Sequence, residues 1–173
     1  VRARINFVGV EGVASLLEPY VKSGNPEAEF LLASIGDASE PDEEFDRRYI
    51  ALLKSSASKG YPPALYALGA CYDVGDIVGL DEQLAATYFA QAAKAGHARS
   101  QWIHGEDLLY GRNGIALDQS AGIAFIKKSV DSKFEPALRF LSQFYRDGQF
   151  GLQKDLLEAD RLLSMTEDDD TIV

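Results

Sequence analysis

The sequence predicts an all-α, right-handed solenoid of helix-turn-helix repeats, and three observations carry that prediction. Gly24, Gly60 and Gly96 stand 36 residues apart, and Ala28 and Ala64 share the interval. An apolar stripe written once as Tyr49, Leu52, Leu53, Ser56 and Ala57 returns at the same step as Ala85, Tyr88, Phe89, Ala92 and Ala93. No stretch alternates apolar and polar residues for long enough to read as a strand. A period of this length marks stacked supersecondary units, each burying its apolar face only against its neighbours.

Residues 10–24 read as a leading helix, with Val13, Leu16, Leu17, Tyr20 and Val21 at helical spacing before Gly24. Pro19 lies inside it, and the missing N–H makes that the place where a break is expected. Repeat 1 covers 25–61. Pro26 opens its first helix, Ala28, Leu31, Leu32 and Ile35 form the stripe, and Gly36 is the expected stop. Ser39 is a candidate cap for its second helix, and Asp42, Glu43 and Glu44 suit the positive end of that helix's dipole.

Repeat 2, residues 62–97, is the clearest copy. Leu65, Leu68 and Tyr72 line its first helix, Gly75 ends it, and Asp81 caps the second. Gly69 and the alanines let two backbones approach, leaving hollows for aromatic rings. Repeat 3, residues 98–134, is one residue longer; Gly105, Gly111 and Asp118 match Gly69, Gly75 and Asp81, and the stripe becomes Gly122, Phe125, Ile126, Ser129 and Val130. Lys133 and Phe134 replace the closing Gly-His, so a less regular turn is expected. Repeat 4, residues 135–166, keeps Ala137, Leu141, Tyr145 and Gly148 in register but has Ser142 where Gly is expected. Asp155 and Glu158 resemble a capping box. Residues 167–173 form an acidic tail, and the whole reads as one repeat domain over 1–173.

Composition narrows the function. With 27 acidic against 17 basic residues the net charge is −10, which repels nucleic acid and anionic membranes. Arg47–Arg48 and Lys127–Lys128 are the local exceptions, and two-residue clusters usually mark solvated helix faces. No apolar run approaches the ~18 residues a membrane helix needs. The opening residues lack the long apolar core of a signal peptide, and the start at Val1 rather than Met reads as a fragment or processed form. The lone Cys71 excludes an internal disulfide framework and leaves the compartment open.

The pattern of Ala64, Leu68, Gly69, Tyr72, Gly75, Asp81, Ala85, Tyr88, Phe89, Ala92, Ala93 and Gly96 resembles the Sel-one-like repeat (SLR), a relative of the tetratricopeptide repeat. Repeat 3 departs at His104, where Leu is expected, and repeat 1 at Ala33 and at Phe45, where Asp is expected. The resemblance implies a non-enzymatic adaptor or scaffold that holds a protein or peptide segment in a concave groove. Two alternatives are a small-ligand-binding or enzyme-associated subunit using a pocket around Trp102, His104 and Glu106, and a bacterial immunity-type protein that neutralises a partner toxin or effector.

Catalytic signatures are absent from the sequence: no nucleophile elbow, P-loop, zinc-helix or dinucleotide fingerprint occurs. His97 falls at an inter-repeat turn and His104 at a core position, and no further ligands stand at zinc spacing. Cys71, between Leu68 and Tyr72, reads as a small buried hydrophobe, and Asp168, Asp169 and Asp170 as a solvated acidic run. No cofactor or metal is expected. In tetratricopeptide-like arrays the first helices line the groove, so the resemblance places Phe30, Tyr66 and Trp102, 36 apart, and Arg139, 37 further on, along it. Glu106, Gln143 and Arg146 lie about one turn along the same wall. These residue types often dominate interfaces, although the rings also suit packing between repeats. At the C-terminal end Leu156, Leu157, Leu162, Leu163 and Met165 share one helix. They require cover from the preceding repeat, from a second copy or from a following helix.

Overall fold

The computed structural model describes residues 10–36 and 40–167. Among them nine α-helices form and no β-strand: α1 (Val10–Lys22), α2 (Pro26–Ser34), α3 (Asp42–Ser58), α4 (Pro62–Val74), α5 (Glu82–Lys94), α6 (Ala98–Tyr110), α7 (Gln119–Asp131), α8 (Glu135–Asp147) and α9 (Leu156–Glu167). Backbone contacts divide the chain into two compact units, Val1–Ala95 with α1–α5 and Gly96–Val173 with α6–α9. Asp168–Asp170 and the proposed cap Ser39 fall outside the described residues.

In the first unit α1 packs on α2, and the pairs α2–α3 and α4–α5 form antiparallel hairpins. Helix α1 runs unbroken through Pro19. Its stripe is only partly covered: Leu17 and Val21 are half-buried, whereas Val13, Leu16 and Tyr20 are exposed. Helix α2 ends at Ser34, short of Gly36, because Ile35 is already extended at φ −86° and ψ 121°. Arg48 explains that ending. Its guanidinium donates to the carbonyls of Leu32 and Ile35 at 2.9 and 2.6 Å and to both oxygens of Glu40. It is a capping group for a helix C-terminus and not half of a basic patch. Helix α3 starts after Pro41 with no side-chain cap.

The core of this unit is Phe45, Tyr49, Leu53, Leu65, Leu68 and Cys71. Burial, followed by the field of Asp76, pushes the Cys71 thiol up, and the neighbouring Tyr49 phenol is raised to about 12, mainly by burial. Both groups therefore stay neutral at physiological pH. Leu31 is exposed, while Glu29, outside the predicted stripe, is buried and paired to Lys59 at 2.6 Å and to Ser55 at 2.9 Å. A charge taken out of water must be met in this way.

The second unit consists of the hairpins α6–α7 and α8–α9, with α7 against α8. Its core includes Leu109, Ile126, Leu138, Leu141, Phe144 and Leu162. The crossing of α6 and α7 depends on absent side chains: a Cβ on Gly105 would meet Ile126 Cγ1 at 2.7 Å, and one on Gly122 would meet the Gly105 carbonyl at 2.8 Å. Gly69 makes the same approach to α5. Ser142 occupies the corresponding place in α8 and uses its hydroxyl, donating to the Ala159 carbonyl at 2.9 Å. Two further buried serines tie the ends of hairpins, Ser56 to the Pro26 carbonyl and Ser129 to that of Ala98.

The turns of the α4–α5, α6–α7 and α8–α9 hairpins share one latch. The amides of Asp81, Asp118 and Asp155 donate at 2.9 Å to the carbonyls of Tyr72, Leu108 and Tyr145. Their carboxylates then cap α5, α7 and α9 by accepting from Leu84, Ala121 and Glu158 amides. Glu158 does not return the favour of a capping box, because it is held by Arg161. The turn after repeat 3 keeps the left-handed geometry of Gly24, Gly60 and Gly96 although Lys133, at φ 55°, has to adopt it.

Candidate partner-binding surface

The predicted ladder is distributed over both units. In the first unit Phe30 is half-buried with its ring 5.6 Å from that of Tyr61, and Tyr66 is half-buried 5.7 Å from Phe89. In the second unit Trp102 is half-buried against Phe134 at 5.9 Å and Phe140 at 6.4 Å. Phe30–Tyr61 and Trp102–Phe134 are the same two register positions, so each ring seats on the residue that introduces the next repeat. Each ring is partly committed to packing, and the indole nitrogen of Trp102 is itself buried.

The polar members all belong to the second unit. Arg139 and Gln143 are exposed on α8 and satisfied along their own helix, Arg139 by Glu135 at 2.8 Å and Gln143 by Asp147 at 2.7 Å. Arg146 turns away to α9 and meets Asp160 at 2.8 Å. Glu106 is half-buried on α6, 3.7 Å from Arg112. Burial pushes its carboxyl up, Arg112 opposes this and Asp107 adds to it.

From Phe134 the rings continue through Trp102, Phe140, Phe144 and Phe150 to Tyr110, each within 6.4 Å of the next. Arg99 stands 5.7 Å over Phe134 at one end, and Arg112 5.0 Å over Tyr110 at the other. The result is an aromatic row along α6, α8 and the turns that flank α8, with guanidinium groups at both ends and the buried Phe144 as its link to the core. Such a row is suited to seating an apolar or aromatic side chain of a partner, with arginines at its rim. The register identified Trp102 but not Phe140, Phe150 or Tyr110, whose roles come from ring contacts formed by the fold.

Both histidines have structural partners. His97 Nδ1 lies 3.3 Å from the Ser100 amide and caps α6, and burial, helped by Arg99, lowers its pKa. His104 is buried with its ring 4.8 Å from Phe125. With Gln101 and Asp107 it makes three buried polar positions on α6 where α8 carries Leu138, Leu141 and Phe144. Among the described residues no group of three or more His, Cys, Asp or Glu side chains is placed to hold a metal ion, and no helix is long and apolar enough to cross a membrane.

No family model matches the sequence. The structure is similar to a Sel1 repeat protein from Oxalobacter formigenes, with a TM-score of 0.76 and 22% identity, over 91% of this chain and 64% of that one. It is also similar to a protective antigen present in uropathogenic Escherichia coli strains that displays an SLR fold, with a TM-score of 0.74 and 21% identity. That second match covers 91% of this chain and 33% of the other. The fold is the Sel1-repeat solenoid. The chain thus spans less than two thirds of either relative's length, and at these identities the likeness is one of fold. Within the Sel1-repeat pattern, Gly69 and Gly105 take the close helix crossing and Asp81, Asp118 and Asp155 take the cap. Within this chain, Trp102, Phe140 and Tyr110 stand where repeat 2 has Tyr66, Ala67 and Val74.

Proposed function

We propose that this chain is a non-enzymatic protein-binding scaffold whose second unit holds a peptide or protein segment against α6 and α8. The observation that supports this is the row of rings from Phe134 to Tyr110, in which Phe134, Trp102, Phe140 and Phe150 are half-buried, Tyr110 is exposed and Phe144 is a buried support, with Arg139 and Gln143 exposed beside it. Tryptophan, tyrosine and arginine are the residue types that most often dominate binding energy. Phe30 and Tyr66 hold the corresponding register positions in the first unit, and in the second Glu106 adds a charged group on α6 while Arg146 is engaged with Asp160. Such repeat scaffolds typically act through protein partners, and the chain's acidic balance disfavours nucleic acid.

Arg139 and Gln143 give the cleanest test, because their side chains bond along α8 to Glu135 and Asp147 and both are exposed, so their loss leaves the core untouched. Affinity capture from the native cell should recover a defined partner with the unaltered chain and markedly less of it with Arg139→Ala/Gln143→Ala, at unchanged helicity. Equal recovery by both would remove this surface from the proposal. Trp102→Ala is a poorer probe, since it also breaks the contacts with Phe134 and Phe140.

A second surface belongs to self-association. Of the five apolar residues at the C-terminal end, α9 buries Leu162 and half-buries Leu163 and Met165, whereas Leu156 is 51% and Leu157 85% exposed. Gln83 and Ser120 hold the place of Leu157 in the preceding repeats. Sedimentation at rising concentration should show association that Leu156→Glu/Leu157→Glu abolishes; a strict monomer would end that reading.

A further inference from the structure

We propose that Asn113 is a site of spontaneous deamidation that converts the α6–α7 turn irreversibly from a hydrogen-bonded to a repelling state. Asn113 and Gly114 are the central residues of a two-residue turn, with φ of 54° and 77°, closed by the Ile115 amide donating to the Arg112 carbonyl at 2.8 Å. Positive φ at both central residues is the type I′ pattern, for which Asn-Gly is the favoured pair. Both residues are exposed, so water and hydroxide reach them.

The chemistry is intramolecular. The Gly114 backbone nitrogen, losing its proton to hydroxide, attacks the Asn113 side-chain carbon Cγ. The Cγ–Nδ2 bond breaks, ammonia departs, and a five-membered cyclic imide remains. Water then opens that ring at either carbonyl, giving aspartate or its isomer with the main chain running through Cγ. The sum is one amide and one water converted to one carboxylic acid and one ammonia, with no oxidant or reductant involved. Glycine at the attacking position offers no side chain to hinder it. The chain contains its own controls: Asn25 precedes Pro26, which has no N–H to lose, and Asn6 precedes the bulky Phe7.

What makes this position consequential is its partner. Asn113 Nδ2 donates to Asp107 Oδ1 at 3.1 Å, and Asp107 is 3% exposed. The Asp107 carbonyl also accepts from the Gly111 and Arg112 amides. The native hydrogen bond restrains the amide, so the reaction follows opening of the turn. Either product removes the donor and sets a carboxylate against a buried one, which cannot rebuild the bond. The isomer also adds a main-chain carbon to a turn that has room for two residues. The same turn carries Arg112, which pairs with Glu106, so the altered charge falls at one end of the aromatic row.

Ageing the intact chain in mildly alkaline buffer, followed by peptide mapping with mass and isoaspartate detection, reads the reaction directly. Acid product should accumulate at position 113 while Asn25 and Asn6 stay amides. Gly114→Ala should slow it at least tenfold, and Asp107→Ala, which removes the acceptor, should speed it severalfold. The unaltered chain decides the matter alone. If Asn113 stays intact in the folded protein over a period in which the same chain in denaturant converts fully, the folded turn protects it and the proposal fails. Conversion at equal rates at all three asparagines would overturn it as well.

Discussion

In repeat 3 the chain leaves α6 through Gly111, turns at Asn113 and Gly114, and is latched by the Asp118 amide; in repeat 4 it leaves α8 through Gly148, turns at Phe150 and Gly151, and is latched by Asp155. The backbones match: φ is 54° and 77° in one turn and 53° and 77° in the other, and each is closed by a hydrogen bond across it, of 2.8 and 3.0 Å. The side chains do not. Asn113 bonds to Asp107, whereas Phe150 packs on Phe144 with centroids 4.6 Å apart, and Phe144 stands in the register of Asp107. One turn is held by a polar pair and the other by two rings. A phenylalanine at positive φ is strained by about 1–2 kcal/mol, so repeat 4 must recover that from burial of the ring. The repeat specifies a conformation, and each copy meets its cost by a different interaction.

The largest break in that comparison is Phe144→Ala. It removes contacts with Phe140 at 4.4 Å and with Phe150, and leaves Phe150 strained without its support. A loss of about 3–5 kcal/mol is expected, read from urea unfolding. A cost below that of Asp107→Ala would show that the rings do not carry the turn.

The helix crossings come next. Gly105→Ala drives a Cβ to 2.7 Å from Ile126 and 3.0 Å from the Gly122 carbonyl, an overpacking expected to cost about 1–3 kcal/mol. Ser142→Ala keeps the volume and removes only the bond to Ala159, for about 1 kcal/mol. If the two variants rank in the opposite order, close approach is not what separates these crossings.

The 36-residue recurrence made much of this readable, because its glycines coincide with left-handed turns and its aspartates with caps, both backbone requirements that few residues meet. The same logic hid the exceptions. Lys133 and Phe150 adopt positive φ without being glycine or asparagine, so nothing local marks them. The buried Glu29 has its cation 30 residues away at Lys59, and Arg48 closes α2 from the next helix. Ser56 and Ser129 were legible in principle, as hydroxyls at one register position inside an apolar stripe. The candidate surface was legible as a register and not as an exposure. How much of Trp102 remains free depends on Phe134 and Phe140, which only folding brings to it.

Lys133→Gly acts on the turn that joins the two repeats, in the favourable direction. Lys133 is exposed, and removing its side chain relieves a Cβ at φ 55°. Relief of about 1 kcal/mol is partly offset by the greater freedom of glycine in the unfolded chain. Thermal unfolding should rise slightly, and a fall would mean that the lysine side chain has a role beyond the turn.

The smallest effect concerns the caps that close the comparison. Asp118 accepts from the Ala121 amide at 3.0 Å and also from the Ser120 hydroxyl at 2.9 Å, whereas Asp155 is followed by Leu156 and Leu157 and has no hydroxyl there. The backbone bond from Ala121, and after it the Ser120 hydroxyl, hold the Asp118 carboxyl below the usual aspartate range. A depressed value means that the ionised cap favours the folded state. Its contribution is complete above the unfolded aspartate value of about 3.9 and disappears as pH falls through the folded value. Ser120→Ala removes one of the two donors, so the folded value should move up toward the ordinary one. Carbon-detected NMR titration of Asp118 would show that rise, and urea midpoints should converge with those of the unaltered chain at low pH while differing slightly at neutral pH. An unchanged titration would assign the depression to the backbone bond alone, leaving the caps of α7 and α9 equivalent.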